Sequence, residues 1–200
     1  MYGNLSLTGA TGAGSSFLTG VDAGTSHYGR CLWYLQNLTT DEVIWSYEND
    51  PGARDIQRNT WSSENPIVLG MFSRLMVEVA LANEYLKQSA DAKLDSRGIA
   101  QTERADIAVY RAEARVLRAM AYYNLLDMFG KAPFITEEDP VNTAGPQYSA
   151  QQLFTFIESE INAALPTLKE ARTNEYGRLD KGVANMILAK LYLNAQVYIC

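Results

Sequence analysis

The sequence predicts a mostly α-helical protein, and three observations lead to it. Apolar residues recur in steps of three and four through four long segments, as one face of a helix requires. The longest of these segments is followed by Gly130, suited to the left-handed position that ends a helix, and by Pro133, which cannot continue one. Two of the segments also echo each other: Ala119, Tyr122 and Asn124 recur 70 positions later as Ala189, Tyr192 and Asn194. A chain of 200 residues with 47% apolar content has enough length for one domain or two and enough apolar surface for a core.

Residues 1 to about 30 are rich in Gly, Ser and Thr without sustained periodicity, and are expected to carry no regular element. A short helix or an irregular segment is expected from Gly29 to Leu38. The run Thr39 to Glu42 has the hydroxyl-then-acid pattern of a helix start. Ser46 to Asn65 is polar and turn-prone. A helix follows over Ile67 to Gln88, with Met71, Leu75, Val79, Ala82 and Leu86 on one face, and Ser89 to Ala100 connects it onward. Three more helices are predicted at about Thr102 to Phe129, Ala150 to Leu168 and Lys181 to Tyr198. In the first of these, Ile107, Tyr110, Ala114, Leu117, Ala121, Leu125 and Met128 form the apolar face. After Gly130 the chain should leave extended through Phe134 and Ile135, into a proline-containing loop that runs to Tyr148. The 70-residue echo is about two tetratricopeptide lengths. It implies helical hairpins over 67 to 129 and 151 to 198 stacked as a right-handed α-α superhelix, with Ala119 and Ala189 permitting close approach. The chain thus divides into a loop-rich segment, 1–66, and a helical segment, 67–200.

A net charge of −6 and a pI near 4.9 argue against nucleic-acid binding, which needs a concentrated basic footprint. No run of about 18 apolar residues stands out as a membrane span, and Met1 is followed by polar, glycine-rich sequence in place of a signal peptide. As given, the chain reads as soluble. Cys31 and Cys200 form an even pair, but a chain with its own core does not need a disulfide, and free thiols are the expectation. The single histidine, His27, excludes two-histidine catalysis and makes a metal site an unfavoured reading; its role is expected to be structural. Glu137 and Glu138 are adjacent, which does not establish the facing carboxylates of glycoside hydrolysis, and the GATGAG run lacks a phosphate-loop lysine. No cofactor and no catalytic residue is therefore expected.

The segment EARVLRAMAYYNLLDMFGKAP, Glu113 to Pro133, resembles the signature of the SusD/RagB family at Glu113, Arg115, Arg118, Tyr122, Phe129, Gly130 and Pro133. DAGTSHYGR, LQNLTTDEVIW and GRLDKGVANMILAKLYLNAQVY are similar to other family segments, so the resemblance covers nearly the whole chain. It implies a SusD-like fold, and a nutrient-binding lipoprotein on the outer surface of a Bacteroidetes-type bacterium. Such a protein captures an oligosaccharide or polysaccharide and hands it to a TonB-dependent, SusC-like outer-membrane transporter. The family usually runs to more than twice this length, so the chain reads as the N-terminal portion of the fold. The C-terminal half and the lipid anchor would lie outside it, and apolar surface would be left uncovered.

Sugar recognition sets flat aromatic rings against pyranose faces, with Asn, Asp or Arg nearby to bond hydroxyls. The Asp41 to Asn65 stretch has those ingredients in Trp45, Tyr47, Arg54, Trp61 and Asn65. The signature residues Arg115, Arg118, Tyr122 and Phe129 are expected to serve packing and buried polar contacts instead. Two rival readings remain: a tetratricopeptide-like protein adaptor without a sugar ligand, and an α-helical glycosidase fragment.

Overall fold

The computed structural model describes residues 1–9, 15, 16, 18, 22–140 and 143–199, which form two compact units, Met1–Val77 and Glu78–Cys200. The first contains α1 (Tyr2–Ser6), α2 (Tyr28–Asn37), α3 (Ala53–Gln57) and the opening turns of α4 (Pro66–Gln88). The second contains the rest of α4, then α5 (Asp91–Ser96), α6 (Gln101–Phe129), β1 (Ala132–Pro133), β2 (Gln147–Tyr148), α7 (Ala150–Ala164), α8 (Lys181–Leu193) and α9 (Ala195–Ile199).

In the first unit, α1 corrects the expectation that no regular element precedes residue 30. Its stability is tertiary: the buried Asn4 donates from Nδ2 to the Arg74 carbonyl at 3.2 Å and accepts from Arg74 Nη1 at 3.0 Å. Arg74 itself is fully buried on α4 and donates to the carbonyls of Leu7, Thr8 and Ser26 and to Ser26 Oγ. A side chain reaching back from residue 74 leaves no periodic trace in residues 1 to 9. The helix expected near Gly29 is α2, capped by His27, whose ring accepts from the Arg30 amide at 3.4 Å. Thr39 to Glu42 is not a helix start. Thr40 Oγ1 accepts the Glu42 amide at 3.3 Å and closes a short turn, the local competitor to which such residues are prone. Cys31 is a buried free thiol that donates to the Thr25 carbonyl at 2.9 Å, and burial pushes it up to about 12; Cys200 lies outside the described residues.

Helix α4 buries Ile67, Met71, Leu75, Val79, Ala82 and Leu86, the stripe that the spacing predicts. Contrary to the sequence expectation, it is also long and apolar enough to cross a membrane, with mean hydropathy 1.4 over its best window. Half of that window is buried within the protein, and Arg74, Glu78, Glu84 and Lys87 interrupt the helix, so it serves as a core helix.

In the second unit α6 is buried all round from Ala112 to Asn124 apart from Arg115 and Met120, not along one face. Tyr110, expected on the apolar face, is partly exposed. Gly130 closes the helix at φ 69°, where a side chain would be strained, and its amide bonds the Leu126 carbonyl. The chain then leaves extended and pairs antiparallel, Ala132 with Tyr148 and Pro133 with Gln147, giving the predicted loop a two-stranded clasp. Helix α7 begins on a capping box made by Ser149 and Gln152 and stops at Ala164, earlier than expected, because Pro166 has no amide hydrogen with which to extend the hydrogen-bond ladder. Helix α8 starts on the Asp180 cap, and the single helix expected to Tyr198 breaks at Asn194. Ala189 is exposed, so it does not mediate the close helix approach foreseen for it; Ala119 is fully buried. The Ser89 to Ala100 connection contains the short helix α5.

Buried polar groups on α6 fasten this unit. Arg118, 3% exposed, forms ion pairs with Glu137 in the loop and Glu160 on α7, and donates to Asn83 Oδ1 on α4 at 2.7 Å. Tyr122 Oη donates to the Ile135 carbonyl and accepts its amide, both at 3.0 Å, holding the loop by both backbone groups of one residue. Glu113 accepts from Asn174 at 3.0 Å and from Arg178 at 2.7 Å, tying down the segment between α7 and α8. Phe129 is half-buried beside the Gly130 cap, and Pro133 sits in β1.

Removing Arg118 would strand the Glu160 carboxylate, so Arg118→Met should cost about 3–5 kcal/mol of stability, measured by urea unfolding. Burial alone would raise the Glu137 carboxyl, but the Arg118 guanidinium outweighs it and holds the group below its ordinary value. The stability that Glu137 contributes is therefore complete above the unfolded value of about 4.3 and is lost as pH falls through the lower folded value. Glu137→Gln should lower Tm at neutral pH and give a shallower acid decline than the wild type in a Tm-against-pH series.

Candidate functional site

The residues of the first unit that were predicted to face a ligand emerge from irregular backbone between α2 and α4. That backbone is fixed from several directions. Asp50 accepts from Tyr34 Oη at 2.5 Å and pairs with Arg30, whose Nη1 also donates to the Gly24 carbonyl at 3.3 Å. Burial, reinforced by the bond to Asp50, raises the Tyr34 phenol. The Trp45 amide donates to Gln57 Oε1 at 2.6 Å, joining the loop to α3.

Trp45 packs into an aromatic cluster that the sequence reading missed. Its ring lies 6.0 Å from Trp33 and 5.4 Å from Tyr34, and Trp33 meets Tyr34 edge-on at 5.7 Å. Trp33 remains 39% exposed, Trp45 is half-buried, and the Trp45 indole N–H is buried without a partner among the described residues. Trp33 escaped notice because it sits on α2, while the search for ligand residues favoured loops. The signal was present: all three tryptophans of the chain fall between Trp33 and Trp61.

Tyr47 and Trp61 stand 64% and 42% exposed, and among the described residues neither makes a ring contact. Arg54 is exposed and pairs with Glu48 at 3.3 Å, an ion pair that Arg58 shares; such surface pairs hold little energy and leave the guanidinium open to other acceptors. Asn65 has a different task from the one predicted. It is 4% exposed, its Oδ1 accepts the amides of Ile67 at 3.0 Å and Val68 at 3.5 Å, and its Nδ2 donates to the Gly52 carbonyl at 3.0 Å. It caps α4 and pins the turn ahead of α3, so its amide is not presented to a ligand. The surface set that remains is Trp33, Tyr47, Arg54 and Trp61, with Trp45 behind Trp33. Among the described residues no group of three metal-ligating side chains converges.

Truncating Trp33 would remove two ring contacts worth roughly 0.5–1.5 kcal/mol each. Trp33→Ala should lower the urea midpoint accordingly, whereas Trp61→Ala, which removes no ring contact, should leave it nearly unchanged.

No family model matches the sequence. The chain is 32% identical over 198 residues to the starch-binding protein SusD of Bacteroides thetaiotaomicron, a match covering 98% of this chain and 34% of that protein. Among solved structures, the surface glycan-binding protein A from Bacteroides fluxus superposes with TM-score 0.70 at 18% identity, over 98% of this chain and 38% of that one. A laminarin-binding SusD-like protein superposes with TM-score 0.60 at 25% identity, over 74% of this chain and 31% of that one. The chain thus spans about a third of the length of the relatives it matches.

Proposed function

Because this chain belongs to the SusD family, we propose that it is part of a cell-surface protein that binds an oligosaccharide and delivers it to a TonB-dependent, SusC-like outer-membrane transporter. The observation that carries the reading is the exposure of Trp61 and Tyr47 on a loop segment otherwise fixed by buried hydrogen bonds. A backbone fixed before the ligand arrives reduces the entropy lost on binding, and the apolar faces of the two rings suit the C–H face of a pyranose. Arg54, tied only to exposed Glu48, is at hand for hydroxyls. The starch, laminarin and glycan specificities named for the relatives favour a carbohydrate as the ligand class. The parent protein is proposed to sit at the outer surface of the outer membrane through a lipid anchor, and its work is capture without bond cleavage.

The glycosidase reading would need two opposed carboxylates free to reach a glycosidic bond. Glu137 and Glu160 do converge, but both are bonded to the Arg118 guanidinium between them and do not face an open space for a glycosidic bond. The protein-adaptor reading draws support from a specific observation: Met186, Tyr192, Leu193 and Val197 on α8 and α9 stand open to solvent, Leu193 by 84%. That surface suits contact with polypeptide, and a sugar loop in the other unit does not conflict with it.

Intrinsic tryptophan fluorescence, titrated with soluble starch, laminarin and their oligosaccharides, tests the proposal. A saturable change is expected for at least one glycan, with affinity about tenfold weaker in Trp61→Ala, equivalent to about 1.4 kcal/mol. A folded protein that responds to none, or a response indifferent to Trp61, Tyr47 and Trp33 alike, would overturn it.

A further inference from the structure

Three arginines on α6, Arg104, Arg111 and Arg115, are spaced by seven and four residues, which places them on one stripe of the helix. Like charges four apart on a helix repel. Their stripe lines a cleft of about 240 Å³ whose other walls come from Asp91 and Leu94 on α5 and from Ala163, Ala164 and Thr167 at the end of α7. Ala108 and Ala112 lie on α6 between the arginines, and with Ala163 and Ala164 they make that lining shallow and small, so space is left beside the guanidinium groups.

The three are not equally engaged. Arg104 bonds Asp95 at 2.5 Å and the Ile99 carbonyl, through Nε and Nη2. Arg111 uses Nη1 alone, on the Leu86 carbonyl at 2.6 Å and Ser89 Oγ at 2.7 Å, which fixes its plane and leaves Nε and Nη2 without acceptors among the described residues. Arg115 is half-buried and makes no hydrogen bond or ion pair among the described residues. Glu137 attracts it through space, but it makes none of the direct bonds that Glu113 and Arg118 each make with two or more partners. Within the lining only Asp91 opposes the positive charge.

We propose that the cleft between α5, α6 and α7 binds a small oxyanion, a carboxylate or a sulfate, held chiefly by Arg115 and Arg111. A guanidinium stays protonated at any physiological pH and offers two parallel N–H donors to such a group, whereas the cleft's small size excludes anything much larger than one sugar residue. An anion here relieves the repulsion along the stripe and gives Arg115 a direct hydrogen-bonded partner, which the through-space attraction of Glu137 does not supply. The site belongs to the second unit and is independent of the tryptophan loops, so either can fail alone.

The test is isothermal titration of the folded chain with sodium sulfate, sodium glucuronate and glucose, at ionic strength held constant with sodium chloride. Saturable binding of sulfate or glucuronate is expected, and none of glucose. Arg115→Gln should weaken it by about tenfold, the equivalent of one charge-assisted hydrogen bond. Ala108→Leu keeps every charge and fills the cleft, and should weaken it similarly; it also decides the matter if Arg115→Gln does not fold. Tighter binding of glucuronate identifies an acidic sugar as the source of the anion, and tighter binding of sulfate a free inorganic one. Heats matching those of chloride, or binding unchanged in both folded variants, would overturn the site.

Discussion

The second unit depends on where the charge of Arg118 is kept. A guanidinium taken out of water must recover its solvation from fixed acceptors, and a partial set would leave a deficit of several kcal/mol. Glu160 on α7, Glu137 in the loop before β2 and Asn83 on α4 supply that set. Each comes from a different part of the chain, so satisfying one side chain fixes three segments against α6. Apolar packing alone would tolerate sliding of α7 along α6; the bonds to Arg118 do not. Tyr122, one turn further on, seizes both backbone groups of Ile135, and Glu113, more than one turn earlier, holds Arg178 and Asn174. The loops of this unit are thereby set in place by side chains projecting from one helix.

Arg74 repeats the device in the first unit with neutral acceptors. It is wholly buried, and carbonyls of Leu7, Thr8 and Ser26 converge on it. Carbonyl acceptors serve where the segment to be held has no regular structure, because an irregular chain has backbone groups with no partner of its own. Asp50 and Asn65 act in the same sense, and between them hold the backbone from which Tyr47, Arg54 and Trp61 project. The polar residues of this stretch therefore sort into two kinds. Those whose bonds are made inside the protein fix the loop, and those left at the surface are available to a ligand.

That sorting marks the limit of what the sequence discloses. Helix α4 was legible because Met71, Leu75, Val79, Ala82 and Leu86 repeat at helical spacing and all turn inward. The end of α6 was legible from Gly130, whose chemistry acts locally. Helix α1 was not, since its anchor lies 70 positions away in Asn4 and Arg74. The all-round burial of α6 was hidden because its buried Glu113, Arg118 and Asn124 look polar in a periodicity count, and only their partners make burial tolerable. Asn65 and Trp61 carry equal promise as sugar-binding residue types, yet one caps a helix and the other meets solvent. Trp33, masked by its position on a helix, completes a ring cluster with Trp45 that no local pattern would join.

The contrast between Arg118 and Arg115 carries the last step. They stand three residues apart on the same helix, both within the signature, but Arg118 is buried and must find its acceptors inside the protein, whereas Arg115 is half-buried and keeps access to solvent. Arg118 points where α7, α4 and the loop meet, and every demand of its charge is met from within the protein. Arg115 borders a cleft lined with alanine, where Asp91 is the lone acidic member of the wall and Glu137 acts on it only through space. A fold that needed only to cover α6 could have done so with larger apolar residues at positions 108 and 163. Small residues beside a guanidinium that makes no hydrogen bond among the described residues leave both the room and the donors for an acceptor, and an oxyanion satisfies both conditions at once.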